Sequence, residues 1–215
     1  MKPAFHFGLW CLGVADAETQ TTDAERACLA RHGAGKKRLV EIGVWHGVTT
    51  RLLRNAMAEN GVLYAVDPFP VGRLRFSMQQ VIARREVSKA PHGFIVWIRT
   101  KSAEAARQYA ASGCPPVDFV FIDGDHSYDG LLGDWENWIS LLGPDGIVAL
   151  HDSRSSASRS IDGAGSVRFT SDVVLKDPHF DVVEVVDTLT VLRRRSLSKA
   201  SSSGDNETSV VHRPN

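Results

Sequence analysis

The stretch VDFVFIDGDHSYDGLLGDWENWISLLGPDGIVALHDS, residues 117–153, decides the fold. It opens on Val117, Phe119, Val120, Phe121 and Ile122, a run too rich in β-branched and aromatic side chains for a surface helix and short enough for a buried parallel strand. The run stops at Asp123, and a second one, Ile147 to Leu150, stops as abruptly at His151 and Asp152. Between them Leu131, Leu132, Trp135, Ile139 and Leu142 recur on one face of a helix. This is a βαβ unit. Ligands of open α/β sheets lie beyond the carboxyl ends of the strands, so Asp123, Asp125, His126, His151 and Asp152 are expected to face one crevice.

Outward from this unit the alternation continues. Upstream, Leu39 to Val44, Leu63 to Val66 and Phe94 to Ile98 read as strands, separated by helices through Leu52, Leu53, Ala56 and Met57 and through Met78, Val81 and Ile82. Thr22 and Glu25 form a capping-box pattern that starts a helix ending near His32 and Gly33, and Ser102 begins an Ala-rich helix to Ala111. Downstream, RSSASRSIDGAGSV is a polar, glycine-containing loop too long for a simple connector, and it reads as a lid or substrate loop. Val167 to Leu175 reads as a helix, and Phe180 to Val186 and Leu189 to Leu192 as a closing antiparallel pair. The expected fold class is α/β: a doubly wound, mostly parallel seven-stranded sheet with helices on both faces and its last strand antiparallel. Residues 1–35 are expected to be an N-terminal segment and helix serving as lid or interface, 36–195 the domain that carries the site, and 196–215 a disordered, Ser-rich tail with too little apolar surface to offset its ordering entropy.

Composition narrows the partners. At 215 residues the chain suits one domain, and Lys plus Arg equals Asp plus Glu at 25 each, so no bulk positive field argues for nucleic acid. No apolar run approaches the roughly 18 residues of a membrane span. Lys2 followed by Ala4 to Ala15 resembles a short secretory signal, but His6, Gly8 and Gly13 interrupt its apolar core. Cys11, Cys28 and Cys114 are odd in number, widely spaced and without a CxxC pair, which argues against a disulfide framework or a structural zinc site and for reduced thiols in a cytoplasmic protein.

Glu41-Ile42-Gly43-Val44-Trp45-His46-Gly47-Val48-Thr49 falls at a strand-to-helix turn, where glycine permits close backbone approach and a helix N-terminus offers free N–H groups. Trp45 stands where a dinucleotide fingerprint needs its middle glycine and no Walker lysine follows, so neither NAD nor ATP is supported. Asp67 ends the second strand, where a carboxylate can accept both hydroxyls of a ribose, and Ser102 follows the third, where it could border an adenine. Taken singly, each could equally cap a turn or helix.

On VEIGVWHGVTT, YAVDPF, FIDGDHSYDG and GPDGIVALHDS together, between Arg38 and Arg194, the chain resembles class I S-adenosylmethionine-dependent methyltransferases, most closely methyltransferase family 24, and is similar to catechol and macrolide-sugar O-methyltransferases. The resemblance implies that Glu41, Gly43, Trp45, Gly47 and Thr49 line the methionine end of S-adenosylmethionine, that Asp67 holds the ribose, and that Ser102 touches the adenine side. Asp123 and Asp125 belong to the same wall, Asp125 orienting a backbone or the cofactor's base. In the metal-dependent relatives the positions of Asp123 and Asp152 are metal ligands, and their hard oxygens suit Mg²⁺ or another divalent cation. His126 matches the general base of the macrolide-sugar enzymes. The chain departs from the pattern at the third ligand: a Glu before the second Asp, or an Asn after it, is replaced by His151 and Ser153. His151 would suit Mn²⁺ or Fe²⁺ better than Mg²⁺, or would simply hydrogen-bond the loop.

The implied activity is methylation of a hydroxyl on a small-molecule acceptor, a sugar or natural-product scaffold, with no nucleic acid or membrane partner. The apolar Phe5, Phe7, Leu9 and Trp10 suit a lid or the interface of a homo-oligomer. Two other readings stay open. A metal-dependent hydrolase would also use an Asp/His cluster at strand ends, although it has no use for the Glu41-Gly43-Gly47 turn and Asp67. A nucleoside-binding module would keep the pocket and lack the chemistry. Asp129 and Asp134 read as capping and helix-dipole residues, Tyr128 as ordinary packing, Trp97, Trp135 and Trp138 as core or interface, and His46 as a turn residue.

Overall fold

The computed structural model describes residues 3–72 and 75–196. Seven strands, β1 (Arg38–Ile42), β2 (Val62–Val66), β3 (Phe94–Ile98), β4 (Val117–Ile122), β5 (Leu142–Leu150), β6 (Phe180–Val186) and β7 (Leu189–Arg194), form one sheet in the order β3-β2-β1-β4-β5-β7-β6. The first five are parallel, and β7 enters antiparallel between β5 and β6. The last strand is therefore the reversed one, as the sequence predicts.

Alternation along β4 shows why the sheet takes helices on both faces. Val120 and Ile122 point into a cluster with Tyr109 of α5 (Ser102–Ala111), Trp135 and Trp138 of α6 (Tyr128–Ile139) and Phe169 of α7 (Gly165–Asp172). Phe119 and Phe121 point the other way, onto Cys28 and Leu29 of α2 (Asp23–Gly33) and Leu53 of α3 (Val48–Ala56). All four β4 side chains are at most 1% exposed, and burial of each stabilises the fold by roughly 1.5–3 kcal/mol. Of the tryptophans assigned to core or interface positions, Trp138 and Trp135 are core, while Trp97 is only partly buried on edge strand β3, under Arg84 of α4 (Met78–Val87).

One expectation changes. Leu142 does not lie on the α6 face: the helix ends at Ile139 and Leu142 opens β5, pairing with Val117 before the register shifts to Phe119↔Ile147. The cause is Gly143-Pro144-Asp145-Gly146, since a residue before proline avoids the helical region. The N-terminal segment is a helix, α1 (Pro3–Cys11), that stacks His6 on His46 and brings Phe7 to within 5.9 Å of Phe76, just before α4. The expected disordered tail lies, except for Ser196, outside the described residues. Among the described residues no helix is long and apolar enough to cross a membrane.

Strand ends set up the site. The Asp123 amide donates to the Ile42 carbonyl at 2.8 Å, and the His151 amide to the Ile122 carbonyl at 3.0 Å. The residues after β1, β4 and β5 therefore emerge side by side. Gly43 sits at φ +86°, where a Cβ would stand 2.1 Å from the Asp123 carbonyl oxygen. Gly43→Ala is expected to cost about 3 kcal/mol or more, combining left-handed strain with a backbone clash; a melting temperature equal to wild type would show that β1 and β4 can separate without penalty.

Candidate active site

Two cavities flank the β1–α3 turn and share Gly43, Trp45, Asp123 and Gly124. The larger, about 620 Å³, is walled by Asp67, Ser102, Asp125, Asp129 and Asp134. The smaller, about 160 Å³, is walled by Glu41, Thr49, His126 and the strap Glu18-Thr19-Gln20 that precedes α2.

The turn itself is built on left-handed residues, Gly43 (φ +86°), Trp45 (φ +50°) and Gly47 (φ +77°). Asp67 fastens it. One of its carboxylate oxygens accepts from the backbone N–H of Val44 at 3.1 Å and of Trp45 at 3.4 Å, and from the Gln79 amide at 3.1 Å; the other accepts from the Phe69 N–H at 2.7 Å. Glu41 is fully buried with neither carboxylate oxygen hydrogen-bonded. Burial pushes its carboxyl well above the usual range, the Asp123 and Asp67 charges adding to the shift and the nearby Thr50 hydroxyl opposing it. A buried, unpartnered carboxyl on a cavity wall is an expensive feature unless something cationic completes it.

At the larger cavity, Ser102 accepts from the Trp138 indole N–H at 2.9 Å, and Asp125 accepts from the Ser127 N–H at 2.9 Å in an Asx turn that starts α6. Asp134 corrects the sequence reading: it is not a capping residue but 6% exposed on the cavity wall, its carboxyl pushed up to about 6 by burial. Gly130 and Gly133 beside it supply the sequence signal, small residues on the helix face turned to a crevice. Tyr128 packs edge-on against Phe169, as ordinary packing requires. His46 is more than a turn residue: it accepts from the Glu18 N–H at 3.0 Å and lies between the rings of Trp45 and His6, so burial drives its pKa down to about 4.

Beyond β4 and β5 the acids and imidazoles form one charged chain. His126 places Nε2 3.3 Å from an Asp123 oxygen and Nδ1 3.2 Å from an Asp152 oxygen, and its pKa is raised, with the Asp123 hydrogen bond the largest cause. Asp152 is 2% exposed at φ +50°; Arg159 reaches the same carboxylate oxygen at 2.8 Å, while the other oxygen is buried without a partner. His151 Nδ1 lies 2.8 Å from Asp123 and its Nε2 3.3 Å from Glu25 of α2. Burial opposes charge on this ring, yet the two carboxylates outweigh it and push the pKa up to about 10. Both ring nitrogens of His151 thus face carboxylates, and one ligand atom each of Asp123, His126 and His151 lies within 4.8 Å of the others.

The sequence marks Glu25 only as a capping-box residue and does not mark Arg159. Glu25 closes its capping box, its N–H donating to Thr22 Oγ1 at 3.1 Å and its carboxylate accepting from the Thr22 N–H at 2.8 Å, but the same carboxylate also accepts from the N–H and hydroxyl of Thr188 at 2.9 and 2.7 Å. Although burial alone would raise it, His151 and Thr188 pull its pKa down to about 2. No local pattern carries contacts 126 and 163 positions away. Glu25→Gln is expected to destabilise the protein by about 3–5 kcal/mol, because it strips a buried imidazolium of one counter-charge. In a domain of this size that corresponds to a fall in melting temperature of roughly 10 °C, and a fall of only a degree would remove Glu25 from the network.

A family model described as a methyltransferase domain matches residues 40–153, more than half of the chain. Solved structures it resembles include the O-methyltransferase TomG of Streptomyces achromogenes, involved in tomaymycin synthesis and complexed with S-adenosylmethionine (14% identity, 91% of each chain covered, TM-score 0.64). An O-methyltransferase of Bacillus cereus in complex with S-adenosylhomocysteine is similar at 15% identity, covering 89% of this chain and 90% of that one (TM-score 0.58). An rRNA methylase of Streptococcus thermophilus shares the fold at 13% identity, covering 83% of this chain and 100% of that one (TM-score 0.55). No curated protein matches.

Proposed function

The chain belongs to the methyltransferase-domain family and is an S-adenosylmethionine-dependent methyltransferase, and we propose that it methylates a hydroxyl of a small acceptor, a sugar or natural-product scaffold, with His126 as general base and a divalent cation at Asp123 and Asp152. The observation that carries this reading is the place of His126, on the wall of the smaller cavity and bracketed by two carboxylates. That TomG and the Bacillus cereus protein are O-methyltransferases favours oxygen as the acceptor atom.

Residues at the turn fit the cofactor. The unpartnered carboxyl of Glu41 is a complement for the ammonium of the methionine end, Gly43, Trp45, Gly47 and Thr49 shape that end, and Asp67 can exchange the flexible Gln79 amide for ribose hydroxyls. Ser102, Asp125 and Asp134 then border the base. The residues beyond β4 and β5 offer hard oxygens to a cation: Asp152 has one buried carboxylate oxygen without a hydrogen-bond donor, 3.6 Å from His151 Nδ1, and Asp123 meets the same imidazole nitrogen. S-adenosylmethionine supplies an electrophilic methyl on a sulfonium, and a divalent ion held by Asp123 and Asp152 would supply positive charge that favours the ionised acceptor.

His126 does the proton work. Neutral, its ring can donate to only one of the two carboxylates and keeps the lone pair of its other nitrogen for the acceptor's hydroxyl proton. Once protonated, it satisfies both Asp123 and Asp152. Uptake of the proton therefore completes an ion pair inside a partly enclosed site, which strengthens the base. As the C–O bond forms and the C–S bond breaks, the proton remains on His126 and the electron pair leaves with a neutral thioether. His151, held by Glu25, fixes the rotamer of Asp123 and is a positioning residue.

Calorimetric titration with S-adenosylmethionine, with Mg²⁺ or a chelator present, tests the scaffold and the metal separately. Micromolar binding in both conditions is expected. Turnover is expected to need Mg²⁺, with Asp152→Asn raising the half-saturating concentration about tenfold and Arg159→Ala, which removes a competing cation, lowering it. Absence of cofactor binding overturns the whole reading, and metal-independent turnover with intact cofactor binding overturns the cation alone.

A further inference from the structure

Helix α2 presents Cys28 and His32 four residues apart, a spacing that stacks them on successive turns of one face. Glu184 on β6 stands opposite, and one ligand atom from each of the three lies within 4.8 Å of the others. Cys28 is fully buried, His32 and Glu184 are partly so, and His32 Nε2 is 2.8 Å from one Glu184 carboxylate oxygen. Arg31 pairs with the other oxygen, leaving the His32-facing one available. Burial, then the charge of Glu184, pushes the Cys28 thiol up to about 11. A cation placed among these groups would reverse that balance.

We propose that Cys28, His32 and Glu184 form a binding site for one Zn²⁺ ion, outside the catalytic crevice, that pins α2 to β6. A sulfur, an imidazole and a carboxylate oxygen are a zinc donor set, whereas Mg²⁺ takes oxygen alone. Tetrahedral zinc holds its ligand atoms ~3.3–3.8 Å apart, so the His32–Glu184 pair, at 2.8 Å, opens slightly and the Cys28 sulfur, within 4.8 Å of both, draws in. The Cys28 S–H gives its proton to solvent, the thiolate donates its electron pair to the metal, and water reaching the partly exposed Glu184 side completes the fourth position. This inference is independent of the acceptor and of the cation at Asp123. The cluster of His6, Glu18 and His46 offers no equal: its two imidazoles stack at 5.0 Å with planes only 9° apart, so no ion can lie in both ring planes.

The same helix, one turn earlier, carries Glu25 and through it His151. The ion would therefore fix the helix on which the catalytic charge chain hangs.

The test uses the full chain, stripped with a chelator and titrated with Zn²⁺ alone. In the Asp123→Asn/Asp152→Asn background, which lacks the cation site of the crevice, one equivalent should bind and raise the melting temperature by several degrees, and there Cys28→Ser and Glu184→Gln should each weaken binding by about a hundredfold or more. Co²⁺ in place of Zn²⁺ should give the wild type a thiolate-to-cobalt charge-transfer absorption, a readout that needs no variant to fold. Zinc binding that survives both single substitutions in the double-variant background, a cobalt complex without thiolate absorption, or a folded wild type that takes up no zinc each overturns the proposal.

Discussion

Alanine at position 67 is expected to raise the dissociation constant of S-adenosylmethionine by about a hundredfold or more. Two charge-assisted hydrogen bonds to ribose hydroxyls contribute roughly 1.5–3 kcal/mol each, and 3 kcal/mol is already above a hundredfold. Asp67 also holds the N–H groups of Val44, Trp45 and Phe69, so its removal releases the turn against which the cofactor would lie. Gln79→Ala separates the two effects: it takes away only the replaceable partner of the carboxylate and should leave affinity unchanged or slightly improved. Calorimetry on both variants decides, and an Asp67→Ala protein that binds as tightly as wild type would exclude this carboxylate from the cofactor wall.

His126→Ala should lower kcat by about 10²–10⁴, the usual range for loss of a positioned general base, while cofactor affinity stays where it was. His126 lines the smaller cavity but makes its polar contacts to Asp123 and Asp152, not to the β1–α3 turn. Asn at this position keeps a polar group without the basicity and should be nearly as slow. Turnover equal to wild type would move the base elsewhere and leave His126 as a counter-charge for its two acids.

The architecture was legible because short, mostly apolar runs rich in β-branched residues and bounded by turn signals suit buried parallel strands, and three of them ended on a polar residue: Asp67, Asp123, His151. Topology rules then placed those residues in one crevice. What failed to show was contact across the sheet order. Leu142 kept a helical period by coincidence and was overruled by Pro144. Asp134 has the spacing of a solvated helix acid, and only the packing of α6 against α5 turns it to the cavity. For His151 the sequence offers metal ligation or a hydrogen bond to the loop, but not its contact with Glu25, which lies on a helix whose sequence announces a cap and nothing more. The cysteine count argues against zinc, and the proposed site at Cys28, His32 and Glu184 lies outside its reach, since spacing rules describe ligands near in sequence and Glu184 is 152 positions from His32.

Glu25 clasps Thr188, in the turn between β6 and β7, from the start of the second helix. During synthesis the helix and the first five strands leave the ribosome well before that turn does. Until it arrives, Glu25 lacks the two hydrogen bonds that Thr188 donates and the Ser153 hydroxyl lacks the Thr188 carbonyl, so this flank of the crevice is the last to be secured. Chain ends that must meet before the centre is secure give a high contact order and slow folding. A nascent chain halted before Thr188 would hold every strand-end residue of the crevice and still lack the clasp between α2 and the β6–β7 turn.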